Sequence, residues 1–256
     1  MLEPCRDLRY RRDMKRYPDV HDLAPEHHIR TVQEIFSTVT GRYDLLTHLL
    51  SLYRDIFWRR FAVKNIKPGK RYRLLDVATG TADLAIETAM QNPGHFIVAM
   101  DFMAEMMALG AGKLKKRGLW RRVRLVRGDA VDMPFPSGAF DAASIAFGIR
   151  NIPDKMKALR EMARVVAPGG RVLVLEMTRP GHGFFGRLYS FYLQKIMPLA
   201  ARFLSPNPAA YCYLADSILH FPPPSSFADM MKAAGLSPVE TYSLTLGITH
   251  LFVGTK

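Results

Sequence analysis

Cysteine is scarce in this chain of 256 residues. Only Cys5 and Cys212 are present, with no CxxC pair and no His/Cys spacing of a metal site. That pattern excludes a disulfide framework and a zinc module, and it fits a reducing, cytoplasmic setting. Long apolar runs are also missing. The longest candidate, Phe184 to Leu204, is interrupted by Arg187, Lys195 and Arg202, so no membrane span is expected. The first residues carry charge without an apolar stretch, and no signal peptide is expected there. Acidic residues are few: 23 Asp and Glu stand against 36 Lys and Arg, for a net charge of +13. Much of the excess lies in RDLRYRRDMKR (Arg6 to Arg16) and KLKKRGLWRRVRLVR (Lys113 to Arg127). Such stretches suit nucleic acid, an anionic lipid surface or an acidic ligand, or simply a solvated face. No nucleic-acid motif accompanies them, and no nucleic-acid partner is expected.

What is present is an alternation of strand-like and helical segments. Residues 1–24 are polar and basic without a clear period and read as a flexible arm. Residues 25–66 read as a helical cap, with Ile29, Val32, Ile35, Phe36 and Val39 at helical spacing and a second helical run from Tyr43 to Phe61. YRLLDVA, FIVAMD, VRLVRGD, FDAASIAFG and RVLVLEMT read as strands separated by helices, and LSPVETYSLTLGITHLFVGT as a closing two-strand hairpin. One helix is well marked: Pro153-Asp154 starts it, Met156, Leu159, Met162 and Val166 form its inner stripe, and Pro168-Gly169-Gly170 stops it. Residues 181–224 read as an inserted helical cover rich in aromatics. The expected fold is α/β: a doubly wound, Rossmann-like, mostly parallel sheet of about seven strands, the last antiparallel, in a single domain over 25–256.

The chemistry concentrates at LDVATGTADLA (Leu75 to Ala85), where a strand ends in Asp76 and turns at Gly80. In a doubly wound sheet, ligands sit beyond the carboxyl ends of the strands. Asp101 ends the second strand, with Phe102 beside it, and its carboxylate can accept both hydroxyl protons of a ribose. Asp129 follows the third strand and can accept from an adenine amino group, while the Ala130 N–H can donate to the ring. Asp76 and Asp83 at this turn would repel a pyrophosphate, which wants a helix N-terminus free of acids. S-adenosylmethionine has no phosphate and carries a sulfonium and an ammonium, both favourable near carboxylates. A dinucleotide is disfavoured further because Ala82 and Ala85 stand where GxGxxG requires its last two glycines. For any single strand-end aspartate a turn cap is the plainer reading; three in phase favour the cofactor.

The order LLDVATGTADL, VAMD, RGDAVDMPFP, FDAASIAFGIRNI and LREMARVVAPGGRVLVLEM resembles a class I S-adenosylmethionine methyltransferase. With FGIRN and YCYLADSI (Tyr211 to Ile218), it resembles more closely the ubiquinone/menaquinone biosynthesis C-methyltransferase family, from about Val32 onward. The resemblance implies S-adenosylmethionine as cofactor, held at Thr81, Asp101, Asp129, Ala130 and Ala146, where the family often has serine at the last position. It implies as substrate a small hydrophobic quinol-type molecule, methylated on a ring carbon. Ala82 replaces a family glycine, which puts a methyl group where the backbone is expected to near the methionine part of the cofactor. Leu46, Thr47, Asp55 and Ala167 stand where methionine, asparagine, histidine and lysine are expected. The first three fall in a segment expected to line the acceptor pocket.

The catalytic candidate is Arg150 in FGIRN, just past the fourth strand. It stays protonated, so it serves to stabilise a developing phenolate or orient a water rather than as a direct base. Its structural alternative is a bond to loop carbonyls or to Asp154. Tyr43 and Asp44 are candidates for the cofactor's methionine end, with a core tyrosine as the alternative. Tyr211, Tyr213 and Asp216 are candidates for the acceptor pocket. His48, His182 and His220 stand alone in the sequence and receive no role, and no metal site is expected. Phe184, Phe185, Tyr189, Phe191 and Tyr192 form either a greasy lid or core, and the basic stretches suit peripheral contact with an anionic membrane. Two other readings stay open: a methyltransferase for another small aromatic or lipid-like acceptor, and a cofactor-binding subunit without catalysis.

Overall fold

A computed structural model describes residues 25–39, 47–48, 51–66, 72–179, 181, 183–197, 199, 207 and 209–256. The basic arm expected over 1–24, and Tyr43, Asp44 and Leu46, lie outside the described residues.

Seven strands form one sheet: β1 (Arg73–Val77), β2 (Phe96–Asp101), β3 (Val123–Arg127), β4 (Phe140–Ala146), β5 (Val166–Met177), β6 (Val239–Leu244) and β7 (Thr249–Thr255), in the order β3-β2-β1-β4-β5-β7-β6. The neighbours from β3 to β5 are parallel, and β7 runs antiparallel to both β5 and β6. The expected doubly wound sheet with an antiparallel last strand is therefore present.

Period-2 alternation assigns the strand residues to two cores. Leu75, Val77, Met100, Ala143, Ile145, Val172, Val174 and Phe252 face α5 (Lys155–Val165) and α8 (Pro224–Ala233), meeting Leu159, Met162, Phe227 and Met231. Leu74, Ile97, Ala99, Ala142, Leu173, Leu175 and Leu251 face the opposite side. There they meet Trp58 and Val63 of α2 (Arg54–Lys64), Leu84 and Ala85 of α3 (Asp83–Gln91), and Leu114 of α4 (Ala104–Lys116). A third cluster joins Ile35 of α1 (Pro25–Val39) to Leu193 and Met197 beyond α6 (Phe184–Phe191) and to Tyr211, Tyr213 and Ile218 of α7 (Ala209–Leu219).

Two boundaries differ from expectation. Val166 belongs to β5, not to the inner stripe of the preceding helix: it pairs with Phe140, and the register then shifts so that Ala142 pairs with Arg171. The Pro-Gly-Gly turn, with Gly169 at φ +76°, is thus a bulge inside the strand. The second helical run is interrupted: Thr47 and His48 are helical, but Leu52 and Tyr53 both have positive φ and cannot continue a right-handed helix, which resumes at Arg54.

The register positions the site. Asp76 lies beside Ser144 and Ala99, Asp101 pairs with Arg127, and Ala146 pairs with Leu175. The carboxyl ends of β1, β2, β3 and β4 therefore open on one side of the sheet, at the switch between β1 and β4.

Candidate active site

Two cavities lie on that side. The smaller, about 250 Å³, is lined by Asp76, Gly80, Thr81, Asp101, Phe102, Asp129, Ala130 and Ala146. These are all the sequence-derived cofactor positions except Tyr43 and Asp44, which lie outside the described residues. The larger, about 530 Å³, is lined mainly by apolar side chains and includes Arg150, Tyr211 and Tyr213. Phe36, Arg59 and Phe147 line both.

Each acid in the smaller cavity is held by the loops it faces. Asp76 is almost fully buried, accepting from Thr79 Oγ1 at 2.6 Å and Ser144 Oγ at 3.0 Å. Burial outweighs those bonds and pushes its carboxyl up to about 6. Asp101 accepts the Gly80 N–H at 2.7 Å and the Met103 N–H at 2.8 Å, so it ties the loop after β1 to the loop after β2. Burial raises its carboxyl as well. A carboxylate has about four lone-pair sites, so both oxygens retain capacity for hydroxyl donors. Asp129 accepts the Val131 N–H at 3.0 Å.

Asp83 departs from the expected charge argument. Lys113 pairs with it closely and also donates to Thr81 Oγ1 at 3.0 Å, and Arg59 Nη2 stands 4.0 Å from it. Its charge is met by cations, so repulsion of a phosphate rests on Asp76, Asp101 and Asp129.

The loop between β1 and α3 alternates in handedness: Ala78, Gly80 and Ala82 have φ of 49°, 56° and 65°. Left-handed backbone costs a non-glycine residue about 1–2 kcal/mol. The Ala82 methyl does not point at the ligand space, contrary to expectation. Ala82 is fully buried and does not line the cavity; it packs against Gly110 of α4. A Cβ at Gly110 would stand 3.2 Å from Ala82 Cβ and 3.2 Å from the Thr81 carbonyl carbon. Gly110→Ala is therefore expected to displace Thr81 and weaken cofactor binding several-fold. Ala82→Gly alone should leave it unchanged, and should restore part of the loss when combined with Gly110→Ala. Calorimetric titration of the three variants checks this. Equal binding by all three would mean that α4 does not set the loop.

In the larger cavity, Arg150 is 5% exposed and donates to Glu176 Oε1 at 2.5 Å and to the Phe147 carbonyl at 2.7 Å. Its acidic partner is thus Glu176 at the end of β5, not Asp154, which caps α5 by accepting the Lys157 N–H at 2.8 Å. Glu176 also accepts the backbone N–H of Arg150 and of Met177. Tyr213 donates to Asn151 Oδ1 at 2.9 Å, tying α7 to FGIRN, and burial raises its phenol. Asp216 does not line the cavity; it pairs with His220 at 3.1 Å one turn on, so neither is isolated.

Two further features escaped the sequence. His48 is not alone: its Nδ1 lies 2.8 Å from Asp55 Oδ2. Asp55, buried in the cavity wall, also accepts from Ser51 Oγ at 2.6 Å and pairs closely with Arg59; these partners hold its carboxyl below the ordinary range. The second is Phe147, at φ +58°, whose ring faces Trp58 at 5.9 Å and carries the Arg59 guanidinium 5.2 Å above it. Strain of this kind persists only where surrounding contacts fix it.

A mostly parallel sheet with an antiparallel last strand, acids gathered at its open strand ends and an apolar cavity alongside fit the methyltransferase version of the Rossmann-like fold. An S-adenosylmethionine-dependent methyltransferase of Thermotoga maritima shares this fold, with a TM-score of 0.61 at 19% identity, covering 88% of this chain and 99% of that one. The chain belongs to the ubiE/COQ5 methyltransferase family, whose model matches residues 24–256. It is 45% identical over 222 residues to a demethylmenaquinone methyltransferase of Thermus thermophilus, covering 87% of this chain and 100% of that protein. To the ubiquinone/menaquinone biosynthesis C-methyltransferase UbiE of Geotalea daltonii it is 42% identical over 226 residues, covering 88% and 96%.

Proposed function

We propose that this enzyme methylates a ring carbon of a prenylated quinol precursor, of the demethylmenaquinol or ubiquinol-precursor type, with S-adenosylmethionine as donor. The observation that carries this reading is the pair of cavities divided by Phe36, Arg59 and Phe147: one acid-lined, the other large and apolar. The donor set of the smaller cavity fits the cofactor. Asp101 suits the ribose hydroxyls, Asp129 and the Ala130 N–H suit the adenine, and Asp76 supplies negative charge near a cationic centre. Bound there, S-adenosylmethionine would supply an electrophilic methyl group to the ring carbon, with the thioether S-adenosylhomocysteine as leaving group and the ring proton passing to water.

The chain's own residues hold the acceptor dry and oriented. Tyr211, Tyr189 and Leu193 line the acceptor cavity, and burial keeps the Tyr189 and Tyr213 phenols protonated. Arg150, fixed by Glu176, presents a permanent positive charge toward the phenolate that develops on the ring. Thr47 and Asp55, two of the departures from the family pattern, line this cavity, where they bear on acceptor choice.

The prenyl tail implies a membrane-held substrate, and the rim of the larger cavity suits a bilayer. Leu52 (78% exposed) and Leu246 (75%) line it from two separate segments together with the exposed Phe185 and Leu188 of α6, and the same helix also exposes Phe184 (75%) and Phe191. The aromatic stripe is thus divided: Phe184 and Phe191 are exposed outside the cavity lining, Phe185 is exposed at its edge, and Tyr189 and Tyr192 line it. The sequence has no acid between Glu176 and Asp216 but has Arg179, Arg187, Lys195 and Arg202. Apolar and cationic residues together favour an anionic lipid surface, with the enzyme peripheral at the inner, cytoplasmic face. Among the described residues, no helix is long and apolar enough to cross a membrane.

Labelled methyl should pass from S-adenosylmethionine to demethylmenaquinol in anionic vesicles. Tight cofactor binding without product would remove the quinol reading. Phe184→Glu should lower vesicle pelleting about tenfold and spare transfer to a short-chain soluble acceptor. Unchanged pelleting would remove the rim as the lipid contact.

A further inference from the structure

The smaller cavity has an uneven charge balance. Asp76, Asp83, Asp101, Asp129 and Asp154 line it; Lys113 meets the Asp83 charge from outside the lining, and Arg59 is the one cationic residue in the described lining. S-adenosylmethionine carries one anionic group, the carboxylate of its methionine part. A carboxylate placed among aspartates is repelled unless a cation meets it. Arg59 is that cation, and guanidinium is the side chain best shaped for a carboxylate, which it can bind through two parallel N–H donors.

The surroundings of Arg59 are built to hold it still. It belongs to α2 and is about nine-tenths buried. Nη1 pairs closely with Asp55 and the guanidinium plane lies over the Phe147 ring. Asp55 is itself fixed by Ser51 Oγ and His48 Nδ1. Nη2 is aimed toward Asp83, 4.0 Å away at the start of α3, beyond hydrogen-bond reach. The group therefore faces the turn at Gly80 and Thr81, where the methionine end is read to lie, with its other side anchored in the acceptor cavity wall.

We propose that Arg59 binds the carboxylate of the cofactor's methionine part and that Asp55 positions it. The inference rests on the smaller cavity being the S-adenosylmethionine site. Because Arg59 and Phe147 also line the acceptor cavity, the same contact fixes the cofactor at the wall the two cavities share.

The test is binding calorimetry with S-adenosylmethionine and with its decarboxylated analogue, which keeps the sulfonium and the amine. The wild-type protein should prefer the full cofactor about 10- to 100-fold, the range of a charge-assisted hydrogen-bonded contact. Arg59→Gln should bind both ligands alike, having lost affinity only for the one with a carboxylate. Asp55→Asn should reduce the preference several-fold while leaving the decarboxylated analogue's affinity as in the wild type. If Arg59→Gln leaves Asp55 unpaired and fails to fold, the double change Asp55→Asn with Arg59→Gln removes both charges together and should show the same loss of preference. A preference that survives removal of Arg59 would overturn the proposal. Wild-type binding of both ligands without preference would overturn it too and leave the cofactor reading standing; binding of neither would overturn that reading itself.

Discussion

Glu176→Ala is expected to destabilise the protein by about 3–5 kcal/mol, the cost of leaving one member of a buried ion pair without the other. Glu176 is completely buried, and its carboxylate serves the Arg150 guanidinium and two backbone N–H groups. For a chain of this length the loss corresponds to a fall in Tm of about 10 °C. Arg150→Met combined with Glu176→Gln should recover part of it, because no unpaired charge remains, although the amide oxygen can accept only one of the two N–H groups that Glu176 takes on separate oxygens. Methyl transfer should not recover: loss of a preorganised cation at the developing phenolate is expected to lower kcat about 100-fold or more. Thermal unfolding and single-turnover transfer on the same samples separate the two roles. A double variant with restored stability and wild-type turnover would leave Arg150 as a structural residue only.

The contrast between Arg150 and Arg59 shows what the sequence could reveal. Strand ends are legible because apolar runs stop at them, so the sequence alone places Asp76, Asp101 and Asp129 on one side of a sheet. Arg150 was legible for the same reason, but its partner was not. Glu176 sits 26 residues later, at the end of a strand two places from β1, and only the sheet order brings it near. Arg59 gave no signal: it is one of two adjacent arginines on a helix, and which of them turns inward depends on how Trp58 packs against Phe147. The direction of the Ala82 methyl was equally hidden, because it follows from a left-handed backbone that an alanine rarely adopts. His48 and Asp55 are seven residues apart, and the turn at Leu52 and Tyr53 between them is what closes their contact.

Asp76 makes an opposite pair of pH effects expected from one side chain. Its folded carboxyl lies at about 6 against an ordinary 3.8, raised by burial. In the ligand-free protein the ionised form is therefore the unfavourable one. The stability linked to Asp76 is fully present below about pH 4 and is lost as pH rises through about 6, a change of about 3 kcal/mol. A cationic ligand favours the ionised form, so cofactor affinity runs the other way. It should fall about tenfold from pH 7.5 to pH 5, as the carboxyl takes up the proton that binding must displace. Asp101, also raised by burial, acts in the same direction. Asp76→Asn should flatten much of both profiles: the free protein becomes more stable at pH 7.5 and the cofactor binds more weakly there. Calorimetry across pH, paired with thermal unfolding, reads both. If the variant bound the cofactor as tightly as the wild type at pH 7.5, the Asp76 charge would have no part in holding the sulfonium end, and negative charge in this cavity would act through its other aspartates.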